Sequence, residues 1–238
     1  MNTMSPPKAA TAPGAAATRP YRGPRARLAD VSWAAGVLAG SVGLGYLIGG
    51  HGGSGVIHDR MLPWILTRCF GIGAYLSLSA LVAVGIWFRH PWRTVRRTPG
   101  PEAVLRAHVA LAAATVVLLV GHIVAVCLDS FAGVGWTGAF VPWSSAYRPA
   151  AVGVGTVAMY GIVLVVGTAT LAGSIARRVW LPVHSLSAVI FGFCVAHGLL
   201  AGSDSHELWW MYAASGALVG TLQGTRLLAR VPVLAETG

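Results

Sequence analysis

Six stretches of this chain carry few charges over lengths that match a membrane crossing. They run at about 31–50, 64–88, 103–128, 150–174, 180–201 and 207–228. Each approaches or exceeds the roughly 20 apolar residues that a helix needs to cross the hydrocarbon core. Periodicity does not separate such stretches from buried helices of a soluble protein, but length and lack of charge do. Composition agrees: 55% of residues are hydrophobic and 10% charged, where a soluble domain carries about 25% charged residues. The expected fold is an all-α integral membrane protein, a six-helix bundle over 31–228.

The formal charge of +10 does not point to nucleic acid, because the cations cluster beside the ends of the apolar stretches rather than along one face. Residues 1–30, rich in Pro, Ala, Thr and Arg, read as a disordered basic tail, and 229–238 as a short second tail. With the N-terminus in the cytoplasm, 14 of the 17 Lys and Arg residues face inward, leaving Arg60, Arg68 and Arg148 outside. That bias predicts a cell-membrane protein with both termini cytoplasmic and lipid as its first partner. The longest connection, 129–149, has room for a loop but not for a soluble domain. Cys69, Cys127 and Cys194 show no C-x-x-C spacing. They read as buried small apolar residues, with a Cys69–Cys127 disulfide as the alternative. The Gly-x-Gly pairs at Gly43/Gly45, Gly71/Gly73 and Gly153/Gly155 sit inside spans and follow no strand, so they are not dinucleotide fingerprints. They permit close helix packing or the approach of a flat macrocycle.

Within the spans stand four histidines. Span three reads R-A-H-V-A-L-A-A-A-T-V-V-L-L-V-G-H, with His108 and His122 14 residues apart. Fourteen steps of ~100° fall about 40° short of four turns, so both rings share one face. Span five reads H-S-L-S-A-V-I-F-G-F-C-V-A-H-G, with His184 and His197 13 residues apart. That interval falls ~140° short of four turns and requires a tightened turn, different rotamers or a tilted ligand. Gly192 and its small neighbours offer a place for the distortion. Both spans run in the same direction, so depth pairs His108 with His184 and His122 with His197. Intramembrane histidines can serve a transporter, a proton relay or packing. Four at matched depths favour two haems, each iron held from opposite axial positions. Zinc fits less well, because each level offers only two ligands.

The R-A-H…G-H-I-V-A-V and W-L-P-V-H-S-L…G-F-C-V-A-H-G segments resemble the ferric reductase-like transmembrane domain. That group includes NADPH oxidases, ferric reductases and the haem subunit of bacterial methionine sulfoxide reductase. The resemblance covers roughly 31–228, and histidine spacing is its specific part. It implies a six-helix core with two b-type haems between the third and fifth helices, ligated by His108, His184, His122 and His197. The expected function is a dihaem cytochrome, an oxidoreductase subunit that relays electrons across the membrane, possessing no catalytic residue of its own. Oxidases and most ferric reductases continue into flavin and nicotinamide domains. The residues after Leu228 offer no FAD or NAD(P) site, so a separate flavoprotein, or a quinol, is expected as donor. The alternatives are a quinol-linked haem subunit and a non-haem transporter or scaffold.

Arg106, two residues before His108, either pairs with a haem propionate or is an ordinary positive-inside arginine. The stretch from Arg89 to Arg97 serves topology, anionic lipid or a docking donor. His51, His58 and His206 fall in outer connections near Asp59, Asp204 and Glu207, where solvated loop residues or ligands for an acceptor ion are the two readings. His90 has no partner evident from sequence.

Overall fold

The computed structural model describes residues 35–36, 39–40, 62–91 and 100–229, and among them every extended element is a helix. In chain order these are α1 (Leu62–Phe88), α2 (Pro101–Leu128), α3 (Gly135–Phe140), α4 (Pro149–Thr170), α5 (Arg177–Ser185), α6 (Ser187–Ala201) and α7 (Trp209–Leu228). Four helical segments are long and apolar enough to cross a membrane: α1, α2, α4, and α5 with α6 taken together. The protein is therefore a multi-pass membrane protein. Spans two to five of the sequence reading correspond to these four. The sixth forms α7, which is less apolar and carries Gln223 and Arg226. The tail 1–30, most of the first span, His51, His58, Asp59, Arg60, the Gly43/Gly45 pair, Arg93 to Arg97 and the tail from Arg230 lie outside the described residues.

Local chemistry explains where these helices begin and end. α2 and α4 each open on a proline, whose missing N–H would be unpaired at that position in any helix. α2 closes at Asp129, a buried carboxylate that accepts the N–H groups of Phe131 at 3.0 Å and Ala132 at 3.1 Å. That turn directs the chain into the short α3.

α1 is the most buried of the crossing helices and packs against α2, α6 and α7. Its Ile72, Tyr75, Leu78, Val82 and Ile86 recur every three or four residues and meet Ile162, Val165, Ile190, Phe191, Met211, Tyr212 and Val219 from the other helices. α2 shows the opposite face. Leu105, Val109, Val117, Val120, Val124 and Leu128 are exposed along one side, the pattern of a helix whose outer surface meets lipid. Packing is arranged in two pairs, α1 on α2 and α4 on α6, whereas α2 makes no extensive contact with α5 or α6. The histidine-bearing helices thus stand apart across an internal space.

The fifth span is not one continuous helix. Pro182 has no N–H to give to the carbonyl a turn earlier, and the chain tightens after it. The Leu186 N–H bonds to the Val183 carbonyl at 3.1 Å, a three-residue step, before α-type bonding resumes with Ile190 to Leu186 at 2.9 Å. The distortion expected near Gly192 therefore lies at Pro182–Leu186. Gly192 itself sits within α6 with open space around it.

Candidate functional site

The four histidines meet in two pairs across the space between α2 and the α5–α6 segment. The ring centroids of His108 and His184 are 6.0 Å apart with planes at 58°, and those of His122 and His197 are 6.3 Å apart at 80°. Depth along the helices had paired them in this way. The tightened turn beside His184 recovers part of the ~140° deficit of the 13-residue interval, about 20° for each residue wound at ~120° rather than ~100°, and ring rotamers supply the rest.

The two rings nearer α3 are held by backbone. His122 Nδ1 lies 2.9 Å from the Thr67 carbonyl oxygen of α1, and His197 Nδ1 lies 2.9 Å from the Ala151 carbonyl oxygen of α4. A carbonyl only accepts, so each Nδ1 carries the proton and donates it. Each Nε2 is then left with its lone pair available to a metal. In the other pair, the Nδ1 atoms of His108 and His184 are buried without a formed hydrogen bond. The Leu81 carbonyl faces His108 without forming a hydrogen bond to it. Trp180 packs edge-on to His184, and Arg89 acts on that ring electrostatically.

Around His122 and His197 lies a cavity of about 230 Å³, lined mostly by apolar side chains including Trp64, Ile72, Leu119, Val126, Met159 and Leu208. Its polar lining is sparse. Thr67 is buried, and its Oγ1 makes no hydrogen bond among the described residues. Arg68 bridges α1 to the α6–α7 connection, donating from Nε to Asp204 Oδ2 at 2.7 Å, with Nη2 at 2.5 Å from the same oxygen. Between the two histidine levels, the buried Tyr75 ring stacks on Phe191 at 6.0 Å and meets Tyr212 at 4.8 Å. The Tyr75 hydroxyl hydrogen-bonds Ser215.

The geometry suits one metal ion per pair. Two Nε2 bonds of about 2.0 Å plus the ring radii place imidazole centroids roughly 6.3 Å apart, taking the bond length usual for a first-row metal. Both observed separations match this span. Among the described residues no three His, Cys, Asp or Glu side chains gather into a metal-binding group. A metal held here needs its remaining positions filled by something other than protein, and a tetrapyrrole offers four in one plane.

Other residues fall as follows. Arg106 Nη1 bonds Glu102 Oε1 one turn earlier at 3.0 Å on the exposed surface of α2. His206 is exposed in the α6–α7 connection. His90 is buried and bonds Thr225 Oγ1 through Nε2 at 3.1 Å, a partner that sequence did not reveal. Cys69, Cys127 and Cys194 are free thiols, so the Cys69–Cys127 alternative is not realised. Sequence reasoning also missed the Arg68–Asp204 bridge, whose members stand 136 residues apart. Gly71, Gly85 and Gly155 proved to lie against imidazoles: a Cβ on each would meet a ring atom of His122 at 2.9 Å, of His108 at 3.1 Å and of His197 at 2.4 Å. The signal for two of them was present, since Gly71 and Gly85 repeat the 14-residue interval of the histidines they face.

No family model, curated protein or solved structure matches this chain.

Proposed function

We propose that this protein is a six-span b-type cytochrome that relays electrons across a membrane through two haems. One haem would be held by His108 and His184 near the cytoplasmic side, the other by His122 and His197 toward the outside. The observation that supports the reading is the pair of imidazole–imidazole separations, 6.0 and 6.3 Å, both close to the span of a two-histidine metal site, with α2 and α5–α6 held apart around them. Haem b supplies one-electron chemistry, its iron alternating between ferric and ferrous states.

The protein's own part follows from its residues. The Thr67 and Ala151 carbonyls fix the tautomers of His122 and His197 and raise the basicity of the nitrogen that faces the metal. The apolar lining excludes water, which keeps the local dielectric low and favours a protected redox centre. The two levels are about 21 Å apart along α2, from a 14-residue interval at ~1.5 Å per residue. That is about two thirds of a ~30 Å hydrocarbon core, so two centres at these depths cover most of the crossing. Along their helices Tyr75 and Phe191 stand at intermediate depth, where their stacked rings supply polarizable matter. The positive-inside bias of the sequence orients both termini to the cytoplasm. Electrons would enter there from a flavoprotein or a quinol and leave at the outer face, with ferric iron as a candidate acceptor.

The test is a reduced-minus-oxidised spectrum and a haem count on the purified full chain. Two haems per polypeptide are expected, with His108→Ala or His184→Ala removing one and His122→Ala or His197→Ala the other. A colourless protein, or four alanine variants with unchanged spectra, refutes the proposal.

A further inference from the structure

The histidine seats share one construction. His122 Nδ1 donates to the Thr67 carbonyl, and four residues later stands Gly71, whose absent Cβ would lie 2.9 Å from that nitrogen. His197 Nδ1 donates to the Ala151 carbonyl, and four residues later stands Gly155, whose Cβ would lie 2.4 Å from the same nitrogen. His108 repeats the pattern more loosely, facing the Leu81 carbonyl with Gly85 four residues on and a Cβ clearance of 3.1 Å to Cε1. The repetition has a geometric cause. In a helix the carbonyl of residue i already accepts the N–H of residue i+4. The Cβ of residue i+4 leans back toward the N-terminus and covers the turn before it. A small hydroxyl can still reach such a carbonyl past a side chain, as Ser77 reaches Leu111 with Thr115 at i+4, but glycine at i+4 clears the space that a whole imidazole ring needs.

From this, and resting on the haem reading above, we infer that Gly71, Gly85 and Gly155 are positioning residues for the axial imidazoles. They act through the ring each one admits, setting its distance from a helix carbonyl and thereby its tautomer and orientation. The fourth ligand lacks such a seat. His184 Nδ1 is buried without a hydrogen bond, and Gly167, twelve residues beyond Gly155 on α4, has open space where its Cβ would stand. Two ligands, His122 and His197, are therefore anchored by backbone hydrogen bonds; His108 has the glycine clearance without a formed bond, and His184 is oriented by its helix break and by Trp180.

The clearances rank the outcome. The experiment compares the purified full-length wild type with Gly71→Ala, Gly85→Ala and Gly155→Ala, and with Gly167→Ala and Gly192→Ala as controls. Haem content, low-spin electron paramagnetic resonance and redox titration are measured on each. His108→Ala and His122→Ala provide reference signals for a single remaining level. Gly155→Ala is expected to lose the His122/His197 signal selectively, with on the order of 10–100-fold weaker haem retention, as for loss of a ligand's outer-shell partner. Gly71→Ala is expected to keep that haem with shifted resonance and midpoint potential. Gly85→Ala should shift the other haem slightly, and both controls should match the wild type. Because the unaffected level reports folding within the same sample, selective loss cannot arise from a misfolded chain. Wild-type signals in all three variants, or equal loss at both levels in Gly71→Ala and Gly155→Ala, overturn the assignment. A wild type without haem would instead sink the underlying haem reading, before any glycine variant is compared.

Discussion

Replacing Asp204 with Asn and Arg68 with Gln, singly and together, measures a bridge that ties the start of α1 to the α6–α7 connection beside the His122–His197 cavity. The side chains are 18% and 23% exposed, and the contact is short and two-pronged on one oxygen. Two unit charges ~4 Å apart attract by about 4 kcal/mol at an effective dielectric near 20. Partial desolvation of both groups offsets part of that gain. The pair falls between exposed bridges, worth about 0–1 kcal/mol, and buried ones, where removing one partner costs about 3–5 kcal/mol. A coupling energy of about 2 kcal/mol is expected from the double-mutant cycle. For a chain of this size that corresponds to a melting shift of roughly 4–8 °C. Tryptophan fluorescence during thermal unfolding in detergent is a suitable assay, because Trp64 lies one turn before Arg68 and lines the same cavity. An internal comparison comes from Arg106 and Glu102, also an Arg–carboxylate pair but 46% and 68% exposed. Its cycle should give no more than about 0.5 kcal/mol, the value of an i,i+4 surface pair. Half-molar salt should weaken the exposed pair and leave the cavity pair nearly intact. If the two cycles give equal coupling, or if salt abolishes both, the argument from burial is wrong.

Three further outcomes follow from the packing. Leu118 is 1% exposed, the most buried large side chain of the described residues; Leu118→Ala should destabilise the protein by about 2–5 kcal/mol through the cavity it leaves, read as a lowered melting midpoint. Pro182→Ala restores a backbone donor at the break and should let α5 and α6 straighten, turning His184 away from His108. The expected result is selective loss of the spectral signal assigned to that pair, with the His122/His197 signal kept. Thr225→Val removes the 3.1 Å bond to the buried His90 while keeping side-chain volume, and should cost about 1 kcal/mol of stability in the same unfolding assay. An unchanged midpoint would mean that the bond contributes nothing.

What sequence revealed and what it hid divide along physical lines. The crossing segments from 64 to 201 were legible because length and lack of charge are properties of a single stretch. The histidine pairing was legible because depth along a helix is a count of residues. The break in the fifth span was half legible. The angular deficit demanded a distortion, yet attention to Gly192 passed over Pro182, the residue that removes a hydrogen bond. The Gly-x-Gly pairs were read as helix packing or macrocycle clearance, and the structure gives Gly71 and Gly155 a third use, since their neighbours are imidazoles from other helices. Arg106 stands two residues before His108, and its exposed bond to Glu102 one turn earlier on the same helix was not anticipated from sequence. Arg68 was counted only as an outside charge, because nothing local announces a partner 136 residues away.

The 14-residue repeat of α1 acts as a ruler. Four turns of an ideal helix take ~14.4 residues, so a straight helix presents the same carbonyl-and-gap element four turns apart only when the copies stand 14 or 15 positions apart. Thr67–Gly71 and Leu81–Gly85 obey this, as do the two rings of α2 that they receive, and neither helix has to bend. A partner graduated in 13 is out of scale with them and has to deform to reach both marks. Its proline is thus the fee for a mismatched gauge, and the vertical distance between the two stations is dictated by α1 and α2, the members of the set that remain undistorted.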